Sequence, residues 1–148
     1  MRYYDTGIII KLYTEEPESE VVRSFVLDDG EPILINDFHL SEMTSAIKLK
    51  KYRGECSTLQ VERLLSSIDE DRNKGVLTFK GVDWPEAWRM CRSLALEYAP
   101  SSGCRTLDTL HVACAILLKA DNFVSSDKRQ LQLASLTGFK VINPTSFR

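Results

Sequence analysis

Short apolar runs alternating with longer amphipathic stretches predict an α/β fold, a three-layer α/β/α sandwich with a mainly parallel central sheet. Three observations carry this expectation. Apolar runs such as Pro32-Ile33-Leu34-Ile35 are bounded by turn residues, here Gly30 and Asn36, as buried strands are. The stretches between such runs mostly repeat apolar side chains at helical spacing over about ten residues or more, which implies crossovers between parallel strands. No repeat, low-complexity tract or linker interrupts the 148 residues, so a single domain, 1–148, with a real core is expected.

Taken in order, Arg2 to Asp5 reads as a short strand and Ile8, Ile9 and Leu12 as a brief helix. Pro17 suits the first turn of a second helix with an apolar stripe of Val21, Val22, Phe25 and Val26. After the Pro32–Ile35 strand comes a long helix from Phe38 to Tyr52, closed at Gly54, with Leu40, Met43, Ile47 and Lys50 on one face. Ser57 or Thr58 starts the next helix, which stripes Val61, Leu64, Leu65 and Ile68 and stops before Gly75. Val76 to Phe79 is a strand, and Trp84 to Tyr98 a helix with Pro85 at its start. Thr106 to Leu118, rich in Ala, Leu and Cys, predicts a well-buried helix. Phe123-Val124, Lys128 to Leu136 and Lys140 to Ile142 complete the pattern as strand, helix and strand.

Composition narrows the function classes. Hydrophobic residues at 43% and charged residues at 27% describe an ordinary soluble protein, and the net charge of −2 argues against a general nucleic-acid coat. A nuclease stays open, because a bound metal can meet the phosphate with its own charge. Cys56, Cys91, Cys104 and Cys114 form no C-x-x-C pair, so neither a zinc ribbon nor a redox motif is indicated and inert thiols are expected. Ile8-Ile9-Ile10 is too short for a secretory signal, and Ala113 to Leu118 is too short for a membrane span. A cytoplasmic protein is the expectation.

The chemistry concentrates in four acids. In an open parallel sheet, ligands bind beyond the carboxyl ends of the strands. Asp5 closes the first strand, Asp127 follows Phe123-Val124, and Asp108 lies in the first turn of the Thr106 helix. Each alone is explained by capping and by the helix dipole. Glu42 sits inside the long helix beside the short side chains Ser45 and Ala46, which suits a face approached closely; a solvated surface glutamate is its plain explanation. Carboxylates brought together repel unless a cation neutralises them, and an all-oxygen set selects Mg²⁺ or Mn²⁺ over zinc. Such a site activates water and stabilises a phosphoryl transition state. His39 and His111 are the only histidines and no nucleophile elbow is present, so a triad has no support.

At these residues the sequence resembles the PIN-domain family, and more narrowly its VapC-type toxin ribonucleases. The resemblance rests on Tyr4-Asp5-Thr6 with Lys11-Leu12-Tyr13 and Glu16-Pro17, on Ser41-Glu42 with Ala46-Ile47, on Arg105 to Ala113, and on Val124-Ser125-Ser126-Asp127-Lys128, an ordered set over nearly the whole chain. It implies a PIN-like α/β/α sandwich and a Mg²⁺- or Mn²⁺-dependent endoribonuclease whose acidic cluster is Asp5, Glu42, Asp108 and Asp127. It also implies a homodimer and a cognate antitoxin that inserts a segment near the site. Gly7 stands where many relatives carry a serine or threonine hydroxyl, and Thr6 carries the neighbouring hydroxyl.

Other side chains have plainer readings. Thr6, Arg105 and Ser126 are candidate substrate contacts, though Ser125 and Ser126 equally suit helix capping and Arg105 a generic surface role. His111, at i+3 from Asp108, reads first as a satisfied core histidine. Lys48, Lys50, Lys51 and Arg53 complement the end of their helix and offer a track for a nucleic-acid backbone. Trp84, Trp88 and Tyr98 are spaced for packing. A non-catalytic PIN-like interaction module is the alternative from another class. An aspartyl-phosphate mechanism is disfavoured, since Gly7 occupies the place of the second Asp it wants. RNA and DNA stay open as substrates, because no residue pattern reads a 2′-hydroxyl.

Overall fold

A computed structural model describes residues 1–146. In chain order the elements are β1 (Arg2–Tyr4), α1 (Thr6–Ile10), α2 (Ser19–Asp29), β2 (Ile33–Ile35), α3 (Asp37–Tyr52) and α4 (Thr58–Asn73). There follow β3 (Leu77–Phe79), α5 (Trp84–Ser102), α6 (Thr106–Leu117), β4 (Asn122–Val124), α7 (Lys128–Leu136) and β5 (Lys140–Ile142). They sort into two compact units, one of Met1–Asp5 with the chain from Val82 onward, the other of Thr6–Gly81. The fold is mixed α/β, with parallel strands flanked by helices.

The first unit is built on a parallel sheet in the order β1-β4-β5. Tyr3 pairs with Phe123, which pairs in turn with Val141. The register is locked by aromatic packing: Tyr3 and Phe123 stack with ring centroids 5.6 Å apart, and Phe139 lies 6.0 Å from Phe123. Both stacked rings are fully buried, worth about 1.5–3 kcal/mol each by area. Helix α6 is buried without a break from Thr109 to Ala115, as its Ala- and Cys-rich sequence predicts. It packs against α5 and α7, and α7 also contacts β4 and β5. His111 is a satisfied core histidine, its Nδ1 2.9 Å from the Tyr3 hydroxyl. That hydroxyl also bonds the Cys114 thiol, which burial pushes up to about 11.

The second unit pairs β2 with β3, also in parallel, Leu34 opposite Thr78. Helix α3 packs on α1, α4 and β2, burying His39, Met43 and Ile47. Its start is written in Asn36, whose side chain accepts from the Phe38 and His39 N–H groups while the His39 ring caps back onto the Asn36 N–H. Ser57 and Gln60 form the same reciprocal box at the head of α4.

Two helix boundaries differ from the pattern-based expectation. Pro17 stands in the turn ahead of α2, whose N-cap is Glu18, because Ser19 closes that turn through its own N–H and hydroxyl. Helix α5 runs past Tyr98 and through Pro100 to Ser102. The proline is tolerated because the N–H it lacks would have met Leu96, on the exposed side of the last turns. Gly103, at φ 64°, then ends the helix in the left-handed conformation. No helix among the described residues is long and apolar enough to cross a membrane.

Because Tyr3 joins β1 to α6 through a buried hydrogen bond, Tyr3→Phe is expected to cost about 1–2 kcal/mol of stability while leaving the secondary structure intact. Urea unfolding followed by circular dichroism reads the shift in midpoint; an unmoved midpoint contradicts it.

Candidate active site

The ladder of the first unit runs one residue beyond its strands. The Asp5 N–H donates to the Val124 carbonyl at 3.0 Å, and the Ser125 N–H to that of Ile142 at 3.1 Å. Asp5 and Ser125 therefore stand side by side at the carboxyl ends of the strands, where an open α/β sheet gathers its ligands. Both are buried. The Ser125 hydroxyl donates to Asp5 Oδ2 at 2.5 Å, and its oxygen accepts the Asp127 N–H at 3.0 Å. One serine thus holds the first carboxylate with its proton and the backbone of the last acid with its lone pair.

Asp127 caps α7. Its Oδ1 accepts from the N–H groups of Arg129 at 2.8 Å and Gln130 at 3.0 Å. Its Oδ2 has no hydrogen-bond partner among the described residues. Asp108 lies in the first turn of α6, its Oδ2 3.3 Å from Arg105 Nε and its Oδ1 likewise without a partner among the described residues. The Gln130 side chain reaches across from α7 to donate to the Asp108 main-chain carbonyl at 3.2 Å. The Cys104 thiol is pushed up first by burial, against a hydrogen bond from Thr109; the charges of Asp108 and Asp127 both add to the rise. Two acids at two helix N-termini therefore act on the same thiol.

In the second unit, Glu42 Oε2 accepts from the Thr6 hydroxyl at 2.5 Å. Thr6 opens α1 and Glu42 sits in α3, two helices that pack on each other. Glu42 is half-buried, next in the chain to Met43 of the buried His39–Met43–Ile47 face.

Of the sequence candidates, Asp5, Asp108 and Asp127 are joined in the first unit through Ser125 and Gln130. Glu42 lies in the second unit with Thr6 on its carboxylate, so the Thr6 hydroxyl, considered as a substrate contact, is given to an acid. Arg105 is exposed and rests against Asp108. Ser126 is only half-buried, whereas Ser125 carries the link to Asp5. In the basic run, Lys50 is drawn into pairs with Glu55 at 3.4 Å and Glu16 at 3.7 Å. Sequence reasoning missed the bond from Ser125 to Asp5 and the role of Gln130. The first had a signal, since a serine two residues before an acidic N-cap accepts its N–H locally and leaves its own proton for a neighbouring strand. Gln130 had only its place in the α7 stripe with Leu133 and Ala134.

The donor chemistry fits a hard divalent cation: oxygen only, one oxygen of each carboxylate steadied by a protein donor, and a second open on Asp108 and Asp127. No group of three or more His, Cys, Asp or Glu side chains forms a metal-holding cluster among the described residues. A full cage is not required, since Mg²⁺ keeps several waters and uses one or two carboxylates with substrate phosphate.

A family model described as "PIN domain" matches residues 2–136. The chain belongs to the PIN domain family. Members of this family are generally nucleases and typically use divalent metals. The solved structures include "Crystal Structure of FitAcB from Neisseria gonorrhoeae", similar at a TM-score of 0.66 over 99% of this chain and 100% of that one. At 15% identity this similarity bears on the fold alone. No curated protein matches the chain.

Removing the Ser125 hydroxyl takes a charge-assisted donor from a buried carboxylate of this PIN domain. Ser125→Ala is expected to lower stability by about 1.5–3 kcal/mol at neutral pH. In a denaturation cycle with Asp5→Ala the two losses should overlap by about 1 kcal/mol or more, because each variant removes one partner of the same bond. Additive losses would show that the bond contributes nothing.

Proposed function

We propose that this PIN domain is a Mg²⁺- or Mn²⁺-dependent endoribonuclease, the toxin of a type II toxin–antitoxin pair, working in the cytoplasm as a homodimer. The whole chain acts as one PIN-like domain. The observation that carries the reading is the hydrogen-bonded series Asp5–Ser125–Asp127–Gln130–Asp108 at the carboxyl ends of the strands. On Asp127 and Asp108, steadying one carboxylate oxygen leaves the other aimed and available, which is what a cation site needs and a purely structural cap does not.

Asp5 and Asp108 hold the ion directly, and Asp127 holds it directly or through water with the oxygen that its capping role leaves open. Glu42 is assigned to the same set from the sequence resemblance. When bound, a hard divalent ion lowers the pKa of water and adds positive charge where a phosphodiester gains negative charge. Arg105 exchanges its contact with Asp108 for a substrate phosphate, and Ser126 and Thr6 are lesser substrate contacts. The N-termini of α6 and α7 add the partial positive charge of their helix dipoles. The antitoxin assignment rests on the VapC-like stretches of sequence.

The test compares cleavage of single-stranded RNA and of the matching DNA, with Mg²⁺ or Mn²⁺, by wild type, Asp5→Asn and Asp108→Asn. Several kcal/mol of lost charge stabilisation correspond to a rate loss of about 100-fold or more in each variant. RNA is expected to be cut in preference to DNA. Equal rates in all three proteins would sink the nuclease reading and favour a non-catalytic interaction module.

A further inference from the structure

The geometry points to Gln130 as a positioning residue that holds Asp108 in register with Asp127. This inference rests on the metal-nuclease reading and gives Gln130, a link in the hydrogen-bonded series behind that reading, a role of its own. Gln130 is bonded to both acids at once. Its backbone N–H donates to the Asp127 carboxylate at 3.0 Å, and its side-chain Nε2 donates to the Asp108 carbonyl at 3.2 Å. One residue therefore spans from the cap of α7 to the first turn of α6. The Asp108 carbonyl already accepts the helical bond of its own turn and uses its second lone pair for Gln130.

Stability does not account for a glutamine here. The residue is 1% exposed, on the face of α7 that otherwise buries Leu133 and Ala134, a place where an apolar side chain would pack. Its Oε1 is buried and has no hydrogen-bond partner among the described residues. A buried amide with an unmatched oxygen opposes folding relative to an apolar residue of similar volume. The link between α6 and α7 is what the glutamine provides. Metal sites tolerate only small errors in ligand placement, so the rotation of the first turn of α6 relative to the Asp127 cap bears directly on affinity.

Mn²⁺ binding by calorimetry and melting temperature would be measured on wild type, Gln130→Met, Gln130→Leu, Asp127→Asn and the Gln130→Met/Asp127→Asn double variant. Asparagine keeps the cap of α7 and removes the charge. Gln130→Met is expected to melt at or above the wild-type temperature and to bind Mn²⁺ about 10-fold more weakly, with RNA cleavage restored at high Mn²⁺. In the Asp127→Asn background the effect of Gln130→Met should fall to about twofold or less, because register no longer matters when one of the two ligands is disabled. Unchanged affinity in both Gln130 variants, or loss of folding in both, overturns the inference and leaves the nuclease reading standing if wild type binds Mn²⁺. A wild type that neither binds Mn²⁺ nor cuts RNA overturns the reading itself, and the inference with it.

Discussion

The hydrogen bond from the Ser125 hydroxyl to the buried Asp5 carboxylate is the contact on which the first unit's site depends. An ionised carboxylate in a protein interior is expensive unless strong donors replace its water. Here the donor is supplied by register: Tyr4 pairs with Val124, so the next residue of each strand, Asp5 and Ser125, must be neighbours. A slip of one residue would turn every side chain of β1 to the other face. What prevents the slip is the core below, where Tyr3 stacks on Phe123 and bonds His111 of α6. The aromatic core and the acidic edge are thus two ends of the same pair of strands.

Capping and chemistry need not compete for a carboxylate that has two oxygens. Asp127 gives Oδ1 to the first N–H groups of α7, which fixes the group in place, and presents Oδ2. Asp108 divides its oxygens in a similar way, one against Arg105 and one open. The plain reading of Asp127 as a helix-start residue is correct for one of its oxygens, and that oxygen orients the other. Preorganisation by the backbone costs little, because the N–H groups of a helix start require acceptors in any case.

Much of this was legible in the sequence because the signals were local. Gly30 and Asn36 as bounds of β2, Ser57 at the head of α4, and the Ala- and Cys-rich α6 declared themselves through spacing and side-chain type, whereas the capping boxes of Asn36 with His39 and of Ser57 with Gln60 emerged from the structure. The parallel pairing followed from helices lying between strands. The illegible features were tertiary. Nothing near Gln130 in the chain says that its amide meets Asp108, because that depends on how α6 and α7 pack. Thr6 and Glu42 are likewise far apart in sequence, and only the packing of α1 on α3 assigns the threonine hydroxyl to the glutamate. The two shifted boundaries have local reasons of their own: turn bonding by Ser19 leaves Pro17 outside α2, and an exposed last turn lets α5 continue past Tyr98 through Pro100.

An acidic chain that acts on a polyanion must localise its positive charge. With a net charge of −2 the protein cannot gather nucleic acid through its overall field, and the carboxylates of the candidate site would repel a phosphate that approached them alone. Two features work against that repulsion in the first unit. Helices α6 and α7 both begin at the site and turn the positive ends of their dipoles toward it, and Arg105, Lys128 and Arg129 lie exposed at the same helix starts. These charges are too few to hold a long backbone but suffice to orient one phosphate. In the proposed function the remaining neutralisation falls to a cation among the carboxylates. On this reading the same acids that exclude the substrate from the bare protein make its binding conditional on the metal.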